Sequence, residues 1–210
     1  MPIRAILFDA DGVIQSHGAE FDARLRAALG ASSESLEKFV HEASAAELLT
    51  LTGEREFAEV LEPLLESWSA ARPAAEVAAC WFAIDADPKI LELIARLRQA
   101  GYFCALATNQ HRERGEYMAR ELRYDRLFDR SFYSYELGQK KPDEAYFHAV
   151  LAALPFSAED VLFLDDHEAN VAAAASCGLL AAQFVHDRTA QAGSALASLL
   201  QRCSVRLPAA

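Results

Sequence analysis

Two carboxylates close an apolar run near the start of the chain, in the segment ILFDADGVIQ at residues 6–15. Asp9 and Asp11 are separated by Ala10 and followed by Gly12, which lets the backbone turn away sharply. In such a pair, one carboxylate can bind a metal ion and attack an electrophile, while the other accepts and donates protons. The backbone amides that follow Asp9 can face anionic oxygens. The segment therefore predicts a reactive site at the end of a buried strand.

Polar groups of compatible chemistry close other apolar runs further along the chain. They supply a hydroxyl, amides, ammonium groups and carboxylates: Thr108 and Asn109, Lys140 and Lys141 before Pro142, and Asp165, Asp166 and Asn170. In open parallel α/β sheets, ligands bind beyond the carboxyl ends of the strands, so these groups are expected to meet in one place. Acids gathered there repel one another unless a positive charge offsets them. Mg²⁺ is the expected ion, with Asp9 and Asp166 as its carboxylate ligands.

The elements that must position these groups alternate along the chain between strand and helix patterns. Strand-like runs occupy 3–8, 102–108 and 160–165, with weaker ones at 130–135 and 179–185. Helical patterns occupy 88–100, 111–123, 143–154 and 168–178. Such alternation is typical of right-handed βαβ units. It predicts an α/β fold with a Rossmann-like, mostly parallel sheet and helices on both faces.

Residues 16–85 break this alternation, because they carry helical stripes and no convincing strand. One stripe follows the spacing of a single helix face and consists of Phe57, Val60, Leu61, Leu64, Leu65 and Trp68. Pro63 lies inside it and predicts a kink or two abutting helices. We therefore expect a core formed by residues 1–15 and 86–210, with a helical insert at 16–85.

Composition excludes several classes of partner and location. The 210 residues carry a formal net charge of −11, which argues against a nucleic acid partner because such binding needs a basic face. No apolar run approaches the roughly 20 residues of a membrane span, and no signal peptide pattern precedes the first strand. The four cysteines are too scattered for a zinc motif or a disulfide framework. These features predict a soluble, cytoplasmic protein without a membrane partner, and they predict no particular oligomeric state.

The stretches DADGV, ATN, KKPD and LDDHEAN resemble, in this order and at suitable intervals, the four motifs of the haloacid dehalogenase-like hydrolase superfamily. The resemblance covers the core from residue 3 to about 185. The insert at 16–85 resembles the C1 cap of that superfamily. A single D-x-D-G motif occurs by chance, whereas four motifs that each close a strand are specific.

The resemblance implies roles for the residues that would contact phosphate. Asp9 would be the nucleophile that forms an aspartyl-phosphate, and Asp11 would protonate the leaving alcohol and later activate water. Thr108 and the amide of Asn109 would hold the transferring phosphoryl group. The backbone amide of Ala10 would also bind the phosphate.

The resemblance also implies the charge-neutralising residues. Lys141, directly before Pro142, would neutralise the nucleophile and the phosphate. Asp166, Asp9 and the backbone carbonyl of Asp11 would bind Mg²⁺. Asp165 and Asn170 would be supporting residues that position the lysine or a water on the metal. The choice of Lys141 over its neighbour Lys140 depends on the resemblance alone.

The implied activity is the Mg²⁺-dependent hydrolysis of phosphate monoesters of small metabolites, with sugar phosphates as the expected substrates. Superfamily members that attack carbon and release halide lack the second acid, so Asp11 favours phosphate esters. A phosphomutase of sugar phosphates shares every motif, so this alternative stays open. A 2-haloacid dehalogenase and a non-catalytic phospholigand-binding protein are the further alternatives.

Other conspicuous residues are interpreted as structural. We expect His17 to be a solvated loop residue and the helix at 111–123 to present a charged, solvated face. Trp68 and Trp81 are expected to pack within the insert. The pair Glu54 and Arg55 is expected not to face the site.

Overall fold

A five-stranded parallel sheet forms the centre of the molecule, as the sequence predicts. The computed structural model describes residues 2–30, 33–70, 72–189 and 191–208. The strands are β1 (Ala5–Phe8), β2 (Gln15–His17), β3 (Ile84–Ala86), β4 (Phe103–Thr108), β5 (Arg130–Tyr133), β6 (Val161–Asp165) and β7 (Leu180–Gln183). The central sheet has the order β5-β4-β1-β6-β7, and every neighbouring pair in it is parallel.

Helices connect and cover the strands. They are α1 (Ala19–Leu29), α2 (Ser33–Glu47), α3 (Phe57–Ser67), α4 (Ala74–Ala78), α5 (Pro88–Gln99), α6 (Arg112–Arg120), α7 (Tyr124–Leu127), α8 (Ser134–Leu137), α9 (Glu144–Ala152), α10 (Glu168–Ser176) and α11 (Ala192–Arg202). Short 3₁₀ turns lie at Ala79–Phe82 and Ala158–Asp160. Throughout the described residues, every helix is too short or too polar to cross a lipid bilayer.

Both faces of the sheet are buried, because successive side chains of β1 enter different cores. Ile6 and Phe8 pack with residues of α5 and α11, whereas Leu7 packs with Phe147 and Val150 of α9. Strands buried on both faces read as continuous apolar runs rather than alternating ones, which is the pattern of β1, β4 and β6. The predicted fold class, an α/β sheet with helices on both faces, is therefore confirmed.

The insert has a hydrophobic core of its own, built from α1 to α4 and the 3₁₀ turn at Ala79–Phe82. Phe21, Phe39, Phe57, Leu61 and Trp81 are its large buried side chains. The predicted stripe of α3 buries Phe57, Val60, Leu61 and Leu65 against this core. Of the two alternatives predicted at Pro63, a kink or two abutting helices, the second is wrong, since one helix runs through the proline.

Two strands at the borders of the insert are not indicated by the sequence pattern. β2 and β3 pair antiparallel, with Gln15 opposite Ala86 and His17 opposite Ile84. The expectation of no strand in this region is therefore wrong at its two ends. Strands of three residues are too short to show a period of two, so periodicity could not reveal them. In this two-stranded ribbon, the strand that leads into the insert, β2, lies beside the strand that leads out of it, β3.

Candidate active site

The ammonium group of Lys141 joins two carboxylates at the carboxyl end of the sheet. Its Nζ lies 2.8 Å from Asp9 Oδ1 and 2.6 Å from Asp165 Oδ2. It also donates to the carbonyl of Ala107 at 2.9 Å. All three charged side chains are buried. Asp9 follows β1, Asp165 ends β6 and Lys141 lies in the loop before α9, so the parallel topology brings together residues far apart in sequence.

Asp165 is saturated with donors and acts as a support for the lysine. Asn170 Nδ2 donates to both of its oxygens, at 3.0 and 3.1 Å. The backbone amide of His167 donates to Oδ1 at 2.8 Å. A carboxylate held from three sides keeps one orientation, and that orientation fixes the ammonium group beside Asp9.

Asp166 differs from its neighbour because one of its oxygens, 3.8 Å from His167 Nε2, accepts no hydrogen bond within the described residues. Its Oδ1 is buried and has no hydrogen-bond partner among the described residues. One oxygen from each of Asp9, Asp165 and Asp166 can be chosen so that all lie within 4.8 Å of one another. Unpaired buried carboxylate oxygens in such a cluster suit a hard divalent cation with oxygen ligands. The residues present therefore fit Mg²⁺, with Asp9 and Asp166 as its carboxylate ligands.

Gly12 allows this close approach. Its φ is +79°, and a Cβ built there would lie 2.3 Å from Asp166 Oδ2. The backbone of the loop after β1 is therefore packed directly against the Asp166 carboxylate. Any side chain at position 12 would displace that carboxylate or strain the loop.

Burial and charge perturb the ionisable groups of the cluster. Burial raises the pKa of Asp9 to about 7, against the lowering effect of Lys141 and with a further rise from Asp165. Burial also raises the pKa of Asp166, against the lowering effect of His167 and with a further rise from the charge of Asp165. Burial opposes the charge of Lys141, but Asp9 and Asp165 outweigh it and raise its pKa. The cluster carries more negative charge than one lysine offsets, which favours the binding of a further cation.

Thr108 and Asn109 lie at the end of β4, beside the lysine loop. The side chain of Asn109 bridges that loop, donating to the Lys141 carbonyl and accepting from the Lys141 amide, each at 2.9 Å. Thr108 is buried, and its hydroxyl lies 3.3 Å from Gln110 Nε2. Ala10, also buried, lies in the loop after β1. The structure thus brings every predicted site residue to the same end of the sheet.

Asp11 has a partner that the sequence pattern does not indicate. Arg114 of α6 binds its carboxylate with both terminal nitrogens, and the Nη2 to Oδ1 distance is 2.7 Å. Gln110 Nε2 and Gln15 Nε2 also donate to Asp11, at 2.7 and 3.1 Å. Burial raises the pKa of Asp11, but the Arg114 guanidinium outweighs it and holds the pKa well below its usual range.

The expectation of a solvated face at 111–123 is therefore wrong for one side of α6. His111, Arg114, Gly115 and Met118 are buried. They follow the i, i+3, i+4, i+7 spacing of a single helix face. Met118 was the signal in the sequence that could have marked this face as buried.

The insert is held against α6 by polar and aromatic contacts. The backbone amide of Phe57 donates to Glu113 Oε1 at 3.0 Å, and the Phe57 ring stacks on His111 with centroids 4.5 Å apart. Arg114 Nε donates to the carbonyl of Trp81 at 2.9 Å. Arg114 therefore contacts Asp11 and the insert at once.

A cavity of about 1120 Å³ lies between the insert and the core. Its walls come from α1 and α2, from the chain around β3 and from the loop after β7, and include His17, His41, Ser44, Asp87 and His186. The interpretation of His17 as a solvated loop residue is wrong. It lies in β2, stacks on Phe21 at 4.1 Å and has a buried Nδ1 without a hydrogen-bond partner in the described part of the chain. Burial lowers its pKa to about 4, with Arg114 lowering it further and Asp11 opposing this.

The interpretation of Trp68 and Trp81 as packing residues of the insert is confirmed. Trp81 is buried in the core of the insert, and Trp68 packs edge-on against Phe39. Glu54 and Arg55 are exposed.

Comparison with known structures shows the same architecture. The chain superposes on the HAD family enzyme BT-2542 from Bacteroides thetaiotaomicron with a TM-score of 0.74 and 21% identity, covering 91% of this chain and 98% of the other. Another structure of BT-2542 contains magnesium and inorganic phosphate. A predicted HAD-like hydrolase from Porphyromonas gingivalis also gives a TM-score of 0.74, at 23% identity, covering 96% and 99% of the two chains. A dehalogenase matches at a TM-score of 0.70 and 18% identity, covering 89% and 87%.

Sequence comparison gives a short match and a long one. The chain is 43% identical over 58 residues to drimenol cyclase drtB from Aspergillus calidoustus, a match that spans 28% of this chain and only 11% of that protein. The family model described as haloacid dehalogenase-like hydrolase matches residues 3–178. That match covers both ends of the insert and all four motifs. The chain belongs to the haloacid dehalogenase-like hydrolase family.

Proposed function

We propose that this chain is a Mg²⁺-dependent phosphatase that hydrolyses phosphate monoesters of small metabolites through an aspartyl-phosphate on Asp9. The observation that carries the proposal is the position of Asp9. Its carboxylate contacts the ammonium group of Lys141 at 2.8 Å and lies in one cluster with the Asp166 oxygen that accepts no hydrogen bond from the described residues. A nucleophile for phosphorus needs such positive neighbours, because the phosphoryl group is itself anionic.

Asp9 would attack phosphorus with one carboxylate oxygen while Lys141 holds the other. Lys141 is itself fixed by Asp165 and by the Ala107 carbonyl, so it neutralises charge without having to reorganise. Thr108 and the amide of Asn109 would bind the equatorial oxygens. Mg²⁺, when held by Asp9, Asp166 and the Asp11 carbonyl, would supply further positive charge to the phosphate.

Asp11 would manage the protons of both half-reactions. Its ionised state, held by Arg114, suits the second half, in which it accepts a proton from the water that attacks phosphorus. In the first half it must protonate the leaving alcohol, and four side-chain contacts already occupy its two oxygens. At least one of these contacts must open before Asp11 can act as an acid.

We place the leaving group in the cavity beside His17, whose imidazole interacts electrostatically with Asp11; the residues that would hold phosphate do not themselves line this cavity. Its volume of about 1120 Å³ accommodates a small metabolite. Its walls offer imidazoles, a hydroxyl and carboxylates, which can hydrogen-bond the hydroxyls of a sugar. We infer that sugar phosphates are among the substrates. The cytoplasmic location stays a prediction from the sequence.

Two alternatives use the same residues. A phosphomutase would return the phosphoryl group from Asp9 to a second position of the substrate, and conversion of one sugar phosphate isomer into another would reveal it. A dehalogenase would attack carbon instead of phosphorus. This alternative is retained because the chain also superposes on a dehalogenase. Asp11 favours the phosphatase, since halide release needs no proton donor. A non-catalytic role is disfavoured because Asp9, Asp11, Lys141 and Asp166 are all present.

The test is a screen of phosphorylated metabolites and 2-haloacids, with Mg²⁺ or with a chelator, followed by phosphate and chloride release. We expect Mg²⁺-dependent phosphate release from one or more sugar phosphates, abolished in Asp9→Asn. We also expect Asp166→Ala to lower the rate and weaken the response to Mg²⁺ together. Chloride release without phosphate release, or phosphatase activity that survives Asp9→Asn, would overturn the proposal.

A further inference from the structure

A second group of ligand-type side chains lies outside the active site, where α9 packs against α10. Glu144 begins α9, His148 follows one turn later, and Cys177 caps the carboxyl end of α10. One ligand atom from each of the three side chains can be chosen so that all three lie within 4.8 Å of one another. No spacing pattern indicates this group, because Cys177 has no partner cysteine nearby in the chain.

The helices impose this arrangement. Positions 144 and 148 lie on the same face of α9, because residues four apart on a helix are neighbours. The Cys177 thiol points at the first turn of α9, with Sγ 3.9 Å from the Glu144 carbonyl oxygen. Within the described ranges, the side chains of Glu144 and His148 make no hydrogen bond or ion pair, so their ligand atoms are available. Both side chains are exposed and Cys177 is half-buried, so an ion can reach the site from solvent.

We propose that Glu144, His148 and Cys177 form a binding site for Zn²⁺ or a similar borderline transition metal ion, separate from the Mg²⁺ site. A thiolate, an imidazole and a carboxylate are the three ligand types that Zn²⁺ takes in proteins, and a water completes the tetrahedron. Mg²⁺ does not compete well here, since it prefers oxygen ligands alone. Binding releases the thiol proton of Cys177 to solvent.

The distances allow an ion after side-chain adjustments. Tetrahedral bonds of about 2.0–2.3 Å to zinc place any two ligand atoms roughly 3.3–3.6 Å apart. The three ligand atoms lie within 4.8 Å of one another, so they need to approach by at most about 1.5 Å. Exposed rotamers at positions 144 and 148 can make this movement without disturbing the core.

The site would link two helices that follow catalytic loops. Glu144 comes three residues after Lys141, and α10 begins two residues after Asp166. An ion at this site would fasten α9 to α10 and stabilise the folded protein by mass action. The inference does not depend on the proposed phosphatase activity.

The experiment uses the full chain, stripped of metals and then saturated with Mg²⁺ so that the aspartate cluster is occupied. Co²⁺ is titrated as a spectroscopic substitute for Zn²⁺, and the thiolate-to-cobalt charge-transfer band is followed. Zn²⁺ affinity is then measured by competition with a chromophoric chelator. Binding at Asp9 and Asp166 would give no charge-transfer band, because those ligands are oxygens.

We expect one equivalent of Co²⁺ to produce the band in the wild type and in Cys203→Ser, the matched control for a half-buried thiol at the end of a helix. Cys177→Ser should abolish the band, and His148→Gln should weaken Zn²⁺ binding about tenfold or more. If Cys177→Ser does not fold, the loss of affinity in His148→Gln decides the question. The proposal is overturned by the absence of a saturable band, or by a band and a Zn²⁺ affinity that both variants leave unchanged.

Discussion

Arg114 holds Asp11 in a bidentate ion pair, with Arg114 only 2% exposed. The same guanidinium donates to the carbonyl of Trp81 in the insert. Arg114 therefore connects Asp11, two residues after the proposed nucleophile, to the insert. This links the proton-transfer group of the proposed mechanism to the docking of the insert.

Removing the guanidinium should destabilise the fold. In Arg114→Met, Asp11 loses its ionic partner, and breaking a fully buried pair costs about 3–5 kcal/mol. We expect about 2–3 kcal/mol, because the Asp11 side chain is 39% exposed and water recovers part of the loss. Urea unfolding measures the difference. Arg112→Met is the control, since the pair of Arg112 with Glu56 is exposed and should contribute less than about 1 kcal/mol. Equal losses in the two variants would contradict this role.

Glu113 makes the docking of the insert sensitive to acid. Burial raises its pKa, but the hydrogen bond from His111 and further donors lower it to about 2, below its ordinary 4.5. A carboxyl with a lowered pKa stabilises the fold above its unfolded pKa, and that contribution is lost as the pH falls from about 4.5 towards 2. Glu113→Gln keeps an acceptor for the Phe57 amide but loses the charge, so its stability should fall less steeply over this range. Denaturant unfolding at several pH values checks this, with Glu116→Gln as the control. A wild-type slope equal to that of Glu113→Gln would refute it.

Gly12 should be required for metal binding more than for folding. An alanine there would meet Asp166 Oδ2 at 2.3 Å in a backbone with φ +79°. Gly30 has a similar φ of +65° with nothing within 4 Å of a built Cβ, so Gly30→Ala carries the backbone strain without the clash. Each variant should lose about 1–2 kcal/mol of stability from the left-handed conformation. Only Gly12→Ala should bind Mg²⁺ about tenfold or more weakly, as calorimetry would show. Matching Mg²⁺ affinities in the two variants would place the Asp166 carboxylate elsewhere.

The adjacent residues Lys141 and Lys140 allow matched substitutions that test the role of positive charge in the site. Lys141→Met leaves Asp9 and Asp165 buried without their cation, so we expect a loss of about 3–5 kcal/mol and a rate at least about 10²-fold lower. Lys140→Met removes a half-buried side chain whose ammonium donates a hydrogen bond to the Leu48 carbonyl, and it should change both quantities little. Unfolding curves and phosphate release measure them. Comparable effects of the two substitutions would remove Lys141 from the proposed mechanism.

The residues that the sequence could predict are those at the ends of long buried strands. Asp9, Thr108 and Asp165 each close an apolar run, and the topology of a parallel sheet brings such ends together. The position of Lys141 in a loop followed from the family resemblance. The structure then showed that its ammonium group contacts both Asp9 and Asp165.

The residues that the sequence could not predict depend on side-chain packing across elements. Arg114 lies on a helix whose charges suggested solvent, and only its contacts with Asp11 and Trp81 explain why a guanidinium is buried there. His17 is covered by Phe21 of α1, which a single sequence cannot place. The Glu144, His148 and Cys177 group needs the packing of α9 on α10, a relationship that no spacing within one segment encodes.

The most direct test of the central claim is to trap the covalent intermediate. The wild type would be mixed with Mg²⁺ and a sugar phosphate that the screen shows to be a substrate. The reaction would be quenched in acid within a single turnover, and the protein digested for mass spectrometry. We predict that the peptide containing Asp9 gains the mass of one phosphoryl group, that hydroxylamine removes it, and that Asp9→Asn shows no such gain. Rapid phosphate release with no phosphorylated Asp9 at any quench time, or a label on a different residue, would contradict the account.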